Sequence, residues 1–178
     1  LEIQITTESA GIYDVAAQLN CLAALTPAYA TAAIRETTRD DKLAAEFYAL
    51  AADKGVRIQH ILFDREDIDL LRAAYADGLI PPDGREAIFV LGRYVPPRLG
   101  MAWELKPLLD YSADLNLDWA VCAFGKHERA CLAEALRRGG SVRVGFENNI
   151  HQPDGARAIS NEAQVAEIAA LRDQIRAE

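Results

Sequence analysis

The sequence predicts an α/β protein built on a parallel sheet. Three observations predict it. Strand-like and helix-like patterns alternate six times along the 178 residues. The repeat is roughly 23–31 residues, close to the size of a βα unit. The run Ala87-Ile-Phe-Val-Leu-Gly92 is continuously apolar, as in a strand buried on both faces.

Glu2 to Thr6 alternates and reads as the first strand, followed by a polar loop to Gly11. Asp14 can cap a helix that carries Val15, Leu19 and Leu22 on one face, with Pro27 ending it. Tyr29 to Ile34 is the second strand, and Arg35 to Asp41 a long charged loop. The next helix has Leu43, Phe47 and Leu50 on one face and stops at Gly55. Val56 to Phe63 is the third strand, and Asp64 caps a helix with Ile68, Leu71 and Tyr75 that stops at Gly78. After the Pro81-Pro-Asp-Gly84 turn and the fourth strand, Arg93 to Gly100 is a loop. Helical pattern returns from Trp103 to Ala113, with a kink or late start expected at Pro107. Trp119 to Gly125 is the fifth strand. Lys126-His127 opens a helix with Cys131, Leu132, Ala135 and Leu136 inward. Ser141 to Asn148 alternates as a sixth strand, with Val142, Val144 and Phe146 on one face. A loop runs to Ile159. Asn161 and Gln164 resemble a capping box for a last helix with Val165, Ile168, Leu171 and Ile175 on one side.

Two architectures fit this order: a doubly wound open sheet and a (β/α)₈ barrel, which needs eight strands. Polar residues inside strands (Gln4, Thr6, Thr31, Gln59, Arg143) favour a lumen over two helix-covered faces. The Gly-x-Gly-x-x-Gly dinucleotide signature is absent from the sequence, which weakens the open-sheet option.

Composition narrows the function classes. Hydrophobic residues make up 51% and charged residues 26%, as in a soluble globular domain. A net charge of −8 argues against a general nucleic-acid surface, while leaving room for a local basic pocket. No apolar run approaches the ~20 residues of a membrane span, and no stretch looks like a signal peptide. Cys21, Cys122 and Cys131 form no Cys-x-x-Cys pair, and read as reduced core residues of a cytoplasmic protein.

The candidate chemistry lies at the C-terminal ends of strands. Arg143 can hold a carboxylate by a two-bond fork, with Glu147 and Asn148 close behind. Gly125-Lys126-His127 offers a glycine for close approach, a cation and a helix start, a pattern that suits phosphate. The three histidines, His60, His127 and His151, show no spacing that pairs them as metal ligands. His60, inside a strand, reads as a buried histidine with its polar groups satisfied.

Ser141-Val-Arg-Val-Gly-Phe-Glu-Asn-Asn149, the preceding Gly139-Gly140 and the following Pro153-Asp-Gly155 with Ser160-Asn161 resemble the C-terminus of the β-keto acid cleavage enzymes. Phe89 to Gly92 and Trp119 to Lys126 are similar to that family in order and spacing. The resemblance implies a single (β/α)₈ barrel domain over residues 1–178, of which about six βα units are present and the first two lacking. It implies a divalent metal, usually zinc, and condensation of a small β-keto acid with acetyl-CoA to give acetoacetyl-CoA and a new product. By the family's pattern Glu147 is the metal ligand and Arg143 positions the substrate carboxylate. Thr6 matches a hydroxyl beside the substrate, and Asn148 stands where the family has an aspartate for acid–base work. Acetyl-CoA is expected over Gly92, Gly125 and Lys126. The chain departs from the family in having no His-x-His, in Asn148, and in Ala32-Ala33 and Arg35-Glu36, which stand in place of a Thr-Gly type strand ending. An asparagine side chain cannot ionise and cannot act as a general base. The alternative is a non-catalytic barrel relative that binds a small carboxylate or acyl-CoA. Open sheet edges lead to the expectation of a homo-oligomer.

Overall fold

A computed structural model describes residues 2–93, 95–152 and 154–177; Pro153 of the Pro-Asp-Gly motif lies outside them. The chain falls into two compact units, one of residues 1–87 with 114–117, the other of 88–113 with 118–178.

The first unit begins with a parallel ladder of β1 (Gln4–Thr6), β2 (Tyr29–Ala33) and β3 (Arg57–Leu62). The pairing Thr6↔Thr31↔Gln59 puts the polar strand residues on one face, where Gln4 Nε2 donates to Gln59 Oε1 at 3.2 Å. Ile58, His60 and Leu62 are buried on the other face. Helix α1 (Val15–Leu25) starts where Asp14 accepts from the Ala17 N–H at 2.8 Å. Its buried face is Val15, Gln18 and Leu22, whereas Leu19 is half-buried. The first strand is shorter than the alternation predicts, because Ile3 stands 73% exposed outside the ladder.

The charged stretch after β2 is not a plain loop. Ile34–Thr37 forms a helical turn, α2, directly on the strand end, because Arg35 and Glu36 each find partners there. Arg35 forks onto Asp67 with two bonds of 2.6 Å and reaches Asp64 at 2.7 Å. Asp67 is fully buried and also accepts from the Phe63 N–H at 2.6 Å. These carboxylates raise the Arg35 pKa. Glu36, also buried, accepts from the Ser9 and Gly11 N–H groups at 2.7 and 3.2 Å and from Gln18 Nε2 at 3.0 Å. One carboxylate thus ties down the loop between β1 and α1, consistent with the rule that buried polar groups are paired.

Helix α3 (Asp41–Lys54) is capped by Asp40 and ends at Gly55 in the left-handed conformation (φ +66°). It buries Ala44, Phe47, Tyr48 and Ala51, one step round from the predicted stripe, so Leu43 and Leu50 are only half-buried. Helix α4 (Arg65–Ala76) is capped by Asp64 and buries Ile68 and Leu71. Segment 114–117 joins this unit through the Arg72–Asp114 ion pair at 2.8 Å and the Arg85 Nη1 bond to the Leu115 carbonyl at 2.8 Å.

Strand β4 (Glu86–Leu91) gives its first two residues to the first unit and the rest to the second. There it lies beside β5 (Asp118–Ala123), and β5 pairs in parallel with β6 (Ser141–Val142), with Ala120 opposite Ser141. Phe89 and Trp119 meet edge to face at 6.4 Å. The Trp119 ring packs on the Gly140 backbone so closely that a Cβ there would lie 2.0 Å from it. A 3₁₀ turn (Ala102–Glu104) leads into α5 (Leu105–Tyr111), two residues later than the periodicity begins. Pro107 then sits in the first turn, where its missing N–H costs no intrahelical bond. A further 3₁₀ turn spans Ala113–Leu115. Helix α6 (Glu128–Arg137) buries Cys131, Leu132, Ala133 and Ala135, with Leu136 half-buried. Burial pushes the Cys131 thiol up to about 12.

The sixth strand departs most from expectation. β6 contains only Ser141–Val142. The Arg143 N–H still donates to the Val121 carbonyl at 2.9 Å, but at Gly145 the chain turns, with the Asn148 N–H on the Gly145 carbonyl at 2.9 Å. Phe146 is consequently 39% exposed instead of buried. The last helix, α7 (Asn161–Ala177), is capped by Ser160, whose Oγ accepts from the Ala163 N–H at 3.1 Å. The capping box fails because Asn161 Oδ1 accepts from the Phe146 N–H at 2.8 Å and Gln164 Nε2 donates to the Asn149 carbonyl at 2.8 Å. The buried face is Gln164, Ile168 and Leu171, and Val165 faces solvent.

His60 is buried completely, as the sequence suggests, but only half satisfied. Its Nδ1 meets the Glu86 carbonyl at 3.0 Å, its ring stacks on Tyr48 at 5.8 Å, and Nε2 has no hydrogen-bond partner. Burial lowers its pKa from 6.5 to about 4. The folded state therefore binds fewer protons than the unfolded chain between those values, and stability rises with pH across that window. The full contribution, about 3 kcal/mol at most, is present above the unfolded value and lost as pH falls through the folded one. Urea unfolding across that window is expected to show this slope in the wild type and to lose most of it in His60→Leu.

Candidate active site

The turn after β6 gathers three of the predicted residues. Arg143 Nη2 donates to Asn148 Oδ1 at 3.2 Å and lies 3.4 Å from Glu147 Oε2. Asn148 is 4% exposed and its Nδ2 has no partner, whereas the Arg143 and Glu147 side chains are 41% and 65% exposed. The fork of Arg143 therefore remains open to a ligand, while Asn148 supports it from beneath.

Asn148 also joins the turn to the loop after β5, because its carbonyl accepts from the Gly125 N–H at 3.0 Å. Gly125 takes φ +86°, and a Cβ there would lie 2.4 Å from Leu99 Cδ2. Gly92 takes φ +84°, and its Cβ would lie 2.6 Å from both the Arg98 carbonyl and the Gly100 nitrogen. Both glycines thus make room for segment 98–100, which returns through paired Arg93 and Arg98 backbone bonds of 2.9 Å. A cavity of about 370 Å³ opens here, with Leu99, Phe124, Phe146 and Ile150 along its walls and Arg93 and Asn148 among its polar groups.

Lys126 is exposed beside the start of α6. That helix start already carries a carboxylate, Glu128, at its first position, where the helix dipole favours negative charge. Burial pushes Glu128 up to about 7, against a hydrogen bond from Asn149 Nδ2 at 3.2 Å that lowers it. Sequence reasoning missed Glu128. A glutamate in a first helical turn is ordinary, and only the fold shows this one to be buried.

Thr6 belongs to the first unit. Its Oγ1 accepts from the Glu8 N–H at 3.1 Å, and it borders a cavity of about 280 Å³ with Thr7, Glu8, Tyr13, Gln18 and Cys21.

Glu147 does not make a metal centre by itself. Among the described residues no group of three or more His, Cys, Asp or Glu is placed to hold an ion, and a protein zinc site takes at least three ligands. The oxygen of Glu147 nearest to Arg143 is shared with that cation. The residues described here do not fit a complete metal site.

The family model described as "beta-keto acid cleavage enzyme" matches residues 1–178. The chain belongs to the β-keto acid cleavage enzyme family. Among curated proteins, it is similar to the 3-keto-5-aminohexanoate cleavage enzyme of Fusobacterium nucleatum, at 28% identity over 131 residues. The match covers 72% of this chain and 46% of that enzyme, so the chain spans less than half the length of the curated relative. No helix among the described residues is long and apolar enough to cross a membrane.

The glycine geometry gives a direct test. Gly92→Ala meets both a forbidden φ and two backbone atoms that cannot swing aside. It is expected to destabilise the protein by roughly 2–4 kcal/mol. Chemical denaturation of the variant beside the wild type measures this.

Proposed function

We propose that this chain takes part in cleaving a small β-keto acid with acetyl-CoA, giving acetoacetyl-CoA and a new product, and that its six βα units form part of a (β/α)₈ barrel domain. The reading carries with it a homo-oligomer working in the cytoplasm. One observation carries it furthest. In a chain of this family, the turn after β6 brings Asn148 within hydrogen-bonding reach and Glu147 within ion-pair reach of Arg143.

The roles follow from chemistry. Arg143, half-exposed and braced by Asn148, offers a planar fork to the keto acid's carboxylate. Asn148 cannot take a proton, so it orients Arg143 and offers its unpartnered Nδ2–H₂ to a substrate oxygen. Thr6 would place a hydroxyl beside the substrate. Gly92, Gly125 and Lys126 border the approach proposed for acetyl-CoA, whose acyl end the apolar walls of the 370 Å³ cavity suit. The family's divalent metal, expected to be zinc, would find one carboxylate ligand in Glu147 and would need its other ligands from elsewhere.

The binding-protein alternative is favoured by Asn148, which leaves the turn without an ionisable group at the acid–base position. Turnover decides between them. Acetyl-CoA-dependent loss of a β-keto acid is expected from the wild type, at least a hundredfold slower in Arg143→Ala and in Glu147→Ala. Unchanged rates in those variants would remove the assigned roles. Asn148→Asp restores a general base, and should raise the rate by about 10²-fold or more, the usual scale of general acid–base catalysis. Keto acid binding without turnover in both the wild type and Asn148→Asp would establish the binding protein instead.

A further inference from the structure

Behind the Arg143 turn lies a second layer of polar contacts that the proposed reaction does not use. Glu128 Oε2 accepts from Asn149 Nδ2 at 3.2 Å, and the Gly145 backbone also favours the ionised form of this carboxyl. Gly145 and Asn149 are the two ends of the turn, joined by the Asn149 N–H on the Gly145 carbonyl at 3.2 Å. Asn149 is held further by Gln164 Nε2 on its carbonyl at 2.8 Å, and its Nδ2 also reaches the His151 carbonyl at 2.6 Å. Glu128 itself is buried, on a helix that packs against both β5 and α7. A helix thus grips Asn149, the end of a short turn that closes back onto Gly145 and whose middle carries Glu147 and Asn148.

We infer that Glu128 is a positioning residue: its carboxyl clamps the Gly145–Asn149 turn and so sets where Arg143 meets a carboxylate ligand. This rests on the carboxylate-binding role proposed for Arg143. The clamp acts through geometry, since Glu128 touches the turn and not the ligand. Glu128 and Gln164 both border a small cavity of about 20 Å³, and the Oε1 atom of each is buried without a partner. Two buried acceptors on residues beside a space the size of one water suit a neutral carboxylic acid at one of them, which supplies a donor, or a glutamine. Glu128 titrates near 7, so it can hold the turn in either charge state.

Charge adds a pH dependence of definite sign. The groups around Glu128 are Arg143 from the turn, Glu167 from α7, Arg129 and Cys131 from its own helix, Lys126 just before that helix, and His151 in the loop after the turn. Arg143 stabilises the ionised form and Glu167 opposes it. A bound carboxylate neutralises Arg143, so ionised Glu128 loses that support and takes up a proton. Affinity for an anion should therefore fall as pH rises through about 7.

The experiment titrates acetoacetate into the full chain by calorimetry between about pH 6 and 8 and follows amide exchange of Gly145 by NMR. Glu128→Ala is expected to speed Gly145 exchange about tenfold or more and weaken acetoacetate about tenfold. Glu128→Gln should restore both near neutral pH while flattening the pH dependence. Asn149→Ala removes the partner from the other side and should reproduce the alanine phenotype even where Glu128→Ala does not fold. Wild-type exchange in both alanine variants, or a wild-type pH slope in Glu128→Gln, would overturn the clamp. A wild type that binds no acetoacetate, with Gly145 exchange still dependent on Glu128, would count against the proposed reaction and for the clamp.

Discussion

The candidate site depends on a short chain of backbone hydrogen bonds that runs past the ends of the strands in the second unit. The Phe124 N–H reaches the Leu91 carbonyl, the Gly100 N–H reaches the Phe124 carbonyl, and the Gly125 N–H reaches the Asn148 carbonyl. Each bond joins a different segment (the end of β4, the loop at Gly100 and the turn at Asn148) to the loop after β5. Buried backbone groups must pair, and here the pairing that satisfies them also assembles the loops. Gly92 and Gly100 follow from the same constraint, since a side chain at either would meet backbone atoms, while one at Gly125 would meet the Leu99 side chain.

A second pattern recurs within each unit. A carboxylate buried near a strand end accepts donors from a neighbouring loop: Glu36 from Ser9, Gly11 and Gln18, Asp67 from Phe63 and Arg35, Glu128 from Asn149. Each replaces the water that a loop would otherwise need. Loops fixed this way can carry chemistry on a rigid footing, which irregular backbone seldom offers unaided.

Most of the scaffold was legible in the sequence, because helix caps and apolar periodicity are local signals. Asp14, Asp64 and Gly55 cap or stop helices where their residue types predict. The errors arose where a tertiary partner outbid a local preference. Asn161 was drawn to Phe146, leaving the cap to Ser160. Val144 and Phe146 continue a strand alternation that Gly145 breaks by turning. For the site, Arg143, Glu147 and Asn148 were legible through the motif that carries them. Glu128, Glu36 and Asp67 were not, since nothing in a charged residue's immediate sequence shows that a loop from elsewhere will close over it.

The contact between Trp119 and Gly140 has a practical side. Both tryptophans of the chain, Trp103 and Trp119, lie in the second unit; Trp119 packs on the Gly140 backbone, while Trp103 is exposed. Indole fluorescence is thus a reporter of that unit alone. His60 and its pH-sensitive packing lie in the first, which contains no tryptophan. Emission and circular dichroism followed through one denaturation would separate the two halves without any label, and coincident curves would mean that they melt as one cooperative body.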